Sequence, residues 1–355
     1  MMYLAAAPAI LAQDAARSIK AEIERLQQSL EANPITDQNL SGLISDTKKT
    51  LQDAADALAA GRLYASLEKL GSAENLLLGA RAAVDKAEIE KNGLSAFEAR
   101  WGKASLALTA LDQQAQTRDW SRASAAAQAL SEAAQGRAIP LLDGGRGFAT
   151  ATGPADGLFY VGQAEGEAAF AKFVASLSMP RTGNALPLRT YLAELASLQQ
   201  KANSAFQPPK SIDLHPRFIA LNSAIKLAQE LDARKFYAGA LYEYLEAVRH
   251  YGMLDAKPLD EAAQAGLQGE LAAAKKKLAE FSTDGSIGRL YVERVESYVQ
   301  HADHSAPSAD EWRAASVVLN DVLPAYYAAQ KRPASTQAAF GEKTVAITLV
   351  RWPYT

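Results

Sequence analysis

Cysteine is absent from this sequence of 355 residues. Its absence excludes disulfide bonds, thiolate metal sites and a cysteine nucleophile. It leaves the compartment open, since both cytosolic and exported proteins can lack cysteine.

An excess of positive charge is also missing. The net charge is −3, from 37 lysines and arginines against 40 aspartates and glutamates. Nucleic-acid-binding domains usually carry a basic stripe, so no nucleic acid is predicted as a partner. The longest basic run, residues 275–277, has Glu270 and Glu280 nearby, which is typical of a solvated helix face.

Long apolar runs are lacking as well. No segment reaches the ~18 consecutive apolar residues of a membrane-spanning helix, so the chain is not predicted to be membrane-embedded. The apolar run Met1–Ala12 resembles the end of a secretory signal, although no basic residue precedes Arg17. We therefore predict a periplasmic or secreted protein with a signal-like segment at 1–12. The alternative is a cytoplasmic protein in which this run begins the first helix.

The region from Pro34 to Pro140 contains no proline between those two residues and is rich in strong helix formers. It predicts an N-terminal helical bundle over 13–140, and the second half predicts another over 186–332. The predicted helices are 14–32, 36–60, 62–91, 95–116, 119–137, 163–178, 187–206, 216–232, 235–252, 258–281, 287–302 and 309–331.

Glycine is concentrated between the two predicted bundles, with seven of the 22 glycines between residues 143 and 166. This predicts a glycine-rich linker over 141–185 that contains a helix and a short strand, Leu158–Val161. The tail, 333–355, contains a β-branched run at 344–350 that predicts a second strand. We predict an all-α fold of two helical bundles or short helical-repeat arrays, with a two-stranded element formed by the linker and the tail. Pairing of the tail strand with another chain is the alternative.

A short pattern occurs four times: a small residue, an arginine, a variable position and an aromatic residue. The arginines are 56, 116 and 55 positions apart, which predicts an internal duplication. Packing of the aromatic residue under the arginine stem is one interpretation, and a ligand- or partner-binding surface is the other. The candidate residues are Arg62, Tyr64, Arg118, Trp120, Arg234, Phe236, Arg289 and Tyr291.

Tyr237, Tyr244 and Tyr251 recur at helical spacing and share one helix face, where they form either core or the lining of a ligand groove. His301, Asp303 and His304 provide only three metal donors in four residues. They are weak metal candidates, and no metal or other cofactor is predicted.

No motif for a reaction is present, and no catalytic residue is predicted. The leading hypothesis is a non-enzymatic binding or scaffold protein of the cell envelope or periplasm. Its protein partner would dock on a helical groove or on the tail strand. One alternative is a periplasmic small-molecule binder with a pocket near the Tyr237–Tyr251 helix. A carboxylate- or histidine-dependent enzyme is the other alternative.

Overall fold

The computed structural model describes residues 6–208, 211–254, 261–300, 312 and 314–329. The chain divides into two compact units. Unit 1 comprises Met1–Pro180 and Leu227–Tyr242, and unit 2 comprises Arg181–Lys226 and Glu243–Thr355. The bounds predicted for the two bundles, 13–140 and 186–332, stay predictions.

Unit 1 is built on α7, which packs against α3 and α6, while α2 packs along α3. Before Leu227 its helices are α1 (Ala6–Ala32), α2 (Ser41–Ala59), α3 (Leu63–Val84), α4 (Lys86–Asn92), α5 (Leu94–Thr117), α6 (Ala125–Ala151) and α7 (Leu158–Ser176). A 3₁₀ turn, Gln38–Leu40, precedes α2.

The turn from α2 to α3 is made by Gly61, which has a φ of 76°. The N–H groups of Gly61 and Arg62 donate to the carbonyls of Leu58 and Ala57, both at 2.9 Å. A glycine in this conformation ends a helix without the steric cost that a side chain would add. At the start of α6, the Ser124 Oγ accepts a hydrogen bond from the N–H of Ala127 at 3.3 Å.

Unit 2 contains α8 (Leu192–Ala205), α11 (Glu261–Ala279), α12 (Ser286–Gln300) and α13 (Leu323–Ala329). A 3₁₀ turn, Ile212–Leu214, precedes α9, and a π-helical segment, Val318–Val322, precedes α13. The unit boundaries fall within α9 (His215–Ala233) and α10 (Tyr237–Gly252). The last part of α9 and the first part of α10 therefore belong to unit 1.

The prediction of an all-α fold is confirmed for the residues that the structure describes. Most predicted helices recur with shifted ends, but 62–91 is divided into α3 and α4, and part of 309–331 lies outside the described residues. The prediction of a strand at Leu158–Val161 is wrong, because these residues begin α7. The tail strand at 344–350 lies outside the described residues, so the predicted two-stranded element is not seen. Only isolated bridge pairs, such as Asn184 with Thr283, occur in the described chain.

Much of the segment predicted to be a linker is helical. Several of its glycines lie where two helices approach each other closely. Gly144, Gly145 and Gly147 lie inside α6, beyond Pro140. A Cβ built on Gly157 would lie 2.1 Å from the carbonyl oxygen of Gly145, so only glycine permits this approach. Gly162 of α7 lies equally close to α3, where an added Cβ would be 2.2 Å from the carbonyl oxygen of Leu78. Gly145, Gly157 and Gly162 thus mark helix crossings, and periodicity alone could not separate these from a loop.

No helix within the described ranges combines the length and the apolar character that crossing a membrane requires.

Candidate functional site

The four copies of the arginine–aromatic pattern occupy different local positions. Arg62 is buried directly before α3, and the hydroxyl of Tyr64 donates to the Ser124 Oγ at 3.2 Å. In the second copy, after α5, the Arg118 guanidinium lies 4.8 Å from the Trp120 ring centroid. Both copies belong to unit 1. Their aromatic side chains contact other side chains of that unit, Ser124 in the first copy and Arg118 in the second.

In the third copy, the Arg234 guanidinium lies 4.7 Å from the ring centroid of Phe236, between α9 and α10. The fourth copy is inside α12, where Arg289 donates to Glu293 at 2.6 Å and Tyr291 is fully buried. The pattern is therefore not one repeated structural position, and a binding role for these residues stays a prediction.

The tyrosine stripe lies on α10, of which residues 238–249 are buried on every side. Tyr244 is buried, whereas Tyr237 and Tyr251 are half-buried. His301, Asp303 and His304 lie outside the described residues. Among the described histidine, aspartate and glutamate side chains, no three come together as a metal ligand set.

One group of polar residues in unit 1 is absent from the sequence-based candidates. We call it the carboxylate cluster, and it comprises Glu22 and Arg25 of α1, Glu74 of α3, Arg137 of α6 and Glu167 of α7. The Arg25 Nε lies 2.9 Å from both carboxylate oxygens of Glu22. The Arg137 Nε lies 3.2 Å from both oxygens of Glu167. Glu22 and Glu167 are thus each held by a guanidinium in bidentate fashion.

Glu74 differs from these two carboxylates, because it has no guanidinium of its own. The residue is 3% exposed, and its Oε1 lies 3.5 Å from the Arg25 Nη2. No donor among the described residues reaches its buried Oε2. Burial, reinforced by the charge of Glu22, raises the pKa of Glu74 to about 7. Glu74 is therefore a buried carboxyl that can gain or lose a proton near neutral pH.

A second buried carboxyl of unit 1, Glu132 of α6, caps the start of α10. Its Oε2 accepts from the Gly239 N–H at 2.8 Å, and its Oε1 accepts from the Gln128 side chain at 2.7 Å. Burial raises the pKa of Glu132 to about 7, while these hydrogen bonds act in the opposite direction. Free N–H groups at a helix start favour such an acceptor.

In unit 2, Tyr244 belongs to a tyrosine cluster with Arg189, Tyr191, Glu194 and Tyr326. The hydroxyls of Tyr191 and Tyr326 are 2.8 Å apart, and the ring centroids of Tyr191 and Tyr244 are 6.2 Å apart. Arg189 donates to the Glu194 Oε1 at 2.5 Å. No donor in the described chain reaches the buried Glu194 Oε2. Burial raises the pKa of each of the three tyrosines.

Glu246 of unit 2 is buried and lies among three donors. Its Oε2 is 3.0 Å from the Arg249 Nε, and its Oε1 accepts from the Tyr291 hydroxyl at 2.6 Å and from Arg294. Although burial opposes ionisation, the two guanidinium groups lower the pKa of Glu246 well below its usual range. Such a saturated carboxylate is typical of a structural ion network.

An aromatic face on unit 1 is formed by Phe148 of α6 and Tyr160 of α7, and a second pair, Arg146 of α6 with Trp101 of α5, lies on the other flank of α6. Phe148 is 44% exposed, and its ring stacks on that of Tyr160 with centroids 4.7 Å apart. The Arg146 guanidinium lies 4.5 Å from the Trp101 ring centroid.

Comparison with protein-family models, with curated proteins and with solved structures gives no match.

Sequence reasoning missed the carboxylate cluster and the aromatic face. Glu74 could have been found, because Leu67, Leu70, Glu74 and Leu77 follow the spacing of one helix face and are all buried. Glutamate is rarely buried unless it is paired, so a glutamate within an apolar helix stripe indicates a buried polar site. The aromatic face carries no comparable signal, since its two rings come from separate helices, α6 and α7.

Proposed function

We propose that this chain is a non-enzymatic helical binding or scaffold protein of the cell envelope or periplasm, and that its protein partner docks on the aromatic face. The observation that carries the proposal is the Phe148–Tyr160 ring stack, in which Phe148 is 44% exposed. Docking on the strand predicted at 344–350 stays a second mode of the same proposal.

The composition of the aromatic face is that of a protein interface. Aromatic residues and arginine are enriched in such interfaces and supply most of their binding energy. The Arg146–Trp101 pair of α6 and α5 is also held in place before any partner binds, since the Trp101 Nε1 donates to the Leu142 carbonyl at 3.0 Å. Arg146 also donates to Glu98 at 3.1 Å. Side chains held in this way lose little conformational entropy on binding.

Two of the buried carboxyls are engaged within the fold. Glu246 is saturated by Arg249, Arg294 and Tyr291, and Glu132 caps a helix. A general base has to reach a substrate proton, so these two carboxyls give the enzyme alternative no support.

A cross-linking pull-down from the envelope fraction of the native host tests this proposal. The baits are the full chain, a Phe148→Ser/Tyr160→Ser variant, and a matched control, Leu106→Ser, which alters a 74% exposed leucine of α5. We expect one specific partner that the control retains and the double variant loses. A chain ending at Arg332 reports on the tail separately. Equal capture by the double variant and the control would refute docking on the aromatic face.

A small-molecule binder is the second candidate, and the tyrosine cluster favours it. Arg189 and Glu194 there lie beside three buried phenol rings, and the Glu194 Oε2 has no donor among the described residues. Pockets for small molecules combine aromatic walls with a few polar groups in this way. A thermal-shift screen with aromatic metabolites and sugars tests it. A hit has to be lost in Glu194→Gln and kept in an exposed variant of the same helix, Gln200→Ala.

The predicted duplication also stays a proposal, and matching element order supports it. The 3₁₀ turn and the two helices that follow it begin at residues 38, 41 and 63, and again at 212, 215 and 237, each 174 residues later. The turn residues Gly61 and Lys235 both have positive φ. This offset of 174 residues is two residues longer than the sequence offset between Arg62 and Arg234. If the halves are duplicated, the two halves of related sequences are expected to align at the 174-residue offset.

A further inference from the structure

The carboxylate cluster is balanced in charge only when Glu74 is neutral. Arg25 and Arg137 each hold another carboxylate in bidentate fashion, Glu22 and Glu167 respectively. Loss of the Glu74 proton therefore gives the cluster one excess negative charge, and the nearest cation, Arg25 at 3.5 Å, is shared with Glu22. A buried carboxylate that only shares its cation favours an opening that lets water reach it.

The helix on the solvent side of Glu74 is α1. The side chain of Arg25 from α1 is 55% exposed, whereas Glu74, which it contacts, is 3% exposed. On the opposite side, Glu167 of α7 is 11% exposed and accepts from the Asn75 side chain at 3.2 Å as well as from Arg137. Displacement of α1 thus hydrates Glu74 without breaking the contacts between α3 and α7.

The charged groups that act on Glu74 come from two packed helices. Glu22 and Arg25 belong to α1, and Glu167 belongs to α7, with Arg137 of α6 behind it. The two glutamates oppose ionisation of Glu74, and Arg25 favours it. Burial adds to the opposing effect and raises the pKa of Glu74 to about 7, so the balance changes near neutral pH.

We propose that α1 is a pH-operated cover over Glu74, which packs on α3 while Glu74 holds its proton and opens when the proton is lost. The surface uncovered is the apolar face of α1, which contains Ile19, Ile23 and Leu26, together with the parts of α2 and α3 on which α1 packs. This device makes an apolar helix face available on the alkaline side.

Hydrogen exchange of the full-length chain, measured by mass spectrometry at pH 6.0 and 8.5 and corrected for intrinsic rates, tests the proposal. We expect the protection of α1 amides over 14–30 to fall by about tenfold or more at the higher pH, since about one pKa unit corresponds to tenfold. Amides of α7 should keep their protection. Glu74→Gln should remove the pH dependence, and Glu24→Gln, on the exposed side of α1, should keep it.

Equal protection of α1 at both pH values in the unaltered chain would overturn the proposal, and this comparison needs no variant to fold. A pH dependence that persists in Glu74→Gln would overturn it as well. Loss of protection at the start of α10 rather than in α1 would assign the effect to Glu132 and not to Glu74.

Discussion

The crossing of α7 over α3 predicts opposite effects for two glycine-to-alanine substitutions. A Cβ added at Gly162 would lie 2.2 Å from the carbonyl oxygen of Leu78 and 2.6 Å from the Cβ of Ala82. Neither atom is the end of a flexible side chain, so the two helices have to move apart. At Gly144 of α6, an added Cβ meets nothing within 4 Å.

The magnitudes follow from two competing terms. Alanine is favoured over glycine in a helix interior by about 1 kcal/mol. Overpacking costs about 1–3 kcal/mol, and a contact with the backbone belongs at the upper end. Gly162→Ala should therefore lower the free energy of unfolding by about 2 kcal/mol. Gly144→Ala should raise it by about 0.5–1 kcal/mol.

Equilibrium unfolding in urea, followed by circular dichroism of the helices, measures both variants against the unaltered chain. The two substitutions add the same atoms to the same kind of element, so the comparison isolates the packing of the crossing. If Gly162→Ala unfolds at the same or higher urea concentration than Gly144→Ala, the close approach of α7 to α3 is wrong.

Three further substitutions test the buried polar groups. The pKa of Glu132 rises from 4.5 to about 7, so its stabilising contribution is complete below about pH 4.5 and is lost as the pH rises through 7. In Glu132→Gln, the urea midpoint should change less between about pH 5 and 8 than it does in the unaltered chain. An equal change in both proteins would contradict this prediction. Arg294→Met leaves Glu246 with one guanidinium and should cost about 3–5 kcal/mol in urea unfolding; a change below about 1 kcal/mol would show that the pair is hydrated. Ser124→Ala removes the cap of α6 and the acceptor of Tyr64, and a loss of about 1–2 kcal/mol in the same assay is expected.

Most helices could be predicted from the sequence because local signals specify them. The helix over 216–232 is observed at His215–Ala233, and that over 95–116 at Leu94–Thr117. Both consist of helix-forming residues between clear breaks at each end. Such signals depend only on residues that are close in sequence, so these helices can be predicted without knowledge of the tertiary packing.

The glycine-rich segment could not be predicted in this way. Gly145 and Gly157 are required by the approach of α6 to α7, a contact that no local pattern encodes. The run Leu158–Val161 has β-branched and aromatic residues, yet it lies in a helix because tertiary packing overrides its propensity. The candidate sites depend on the same long-range information. Arg25 and Glu167, for example, are brought to Glu74 only by the fold.

Unit 1 is discontinuous in sequence, and this has a consequence for its biosynthesis. When the ribosome has made residues 1–180, Glu132 has no helix start to cap, because Gly239 has yet to be made. The close-packed position of Gly136, next to Leu227 and Leu231, is likewise unfilled. The first-made part of the chain therefore emerges with these two positions unfilled, and its core is completed only when residues 227–242 have been made. A chain that stalls between these two segments is the form that chaperones and proteases are expected to recognise.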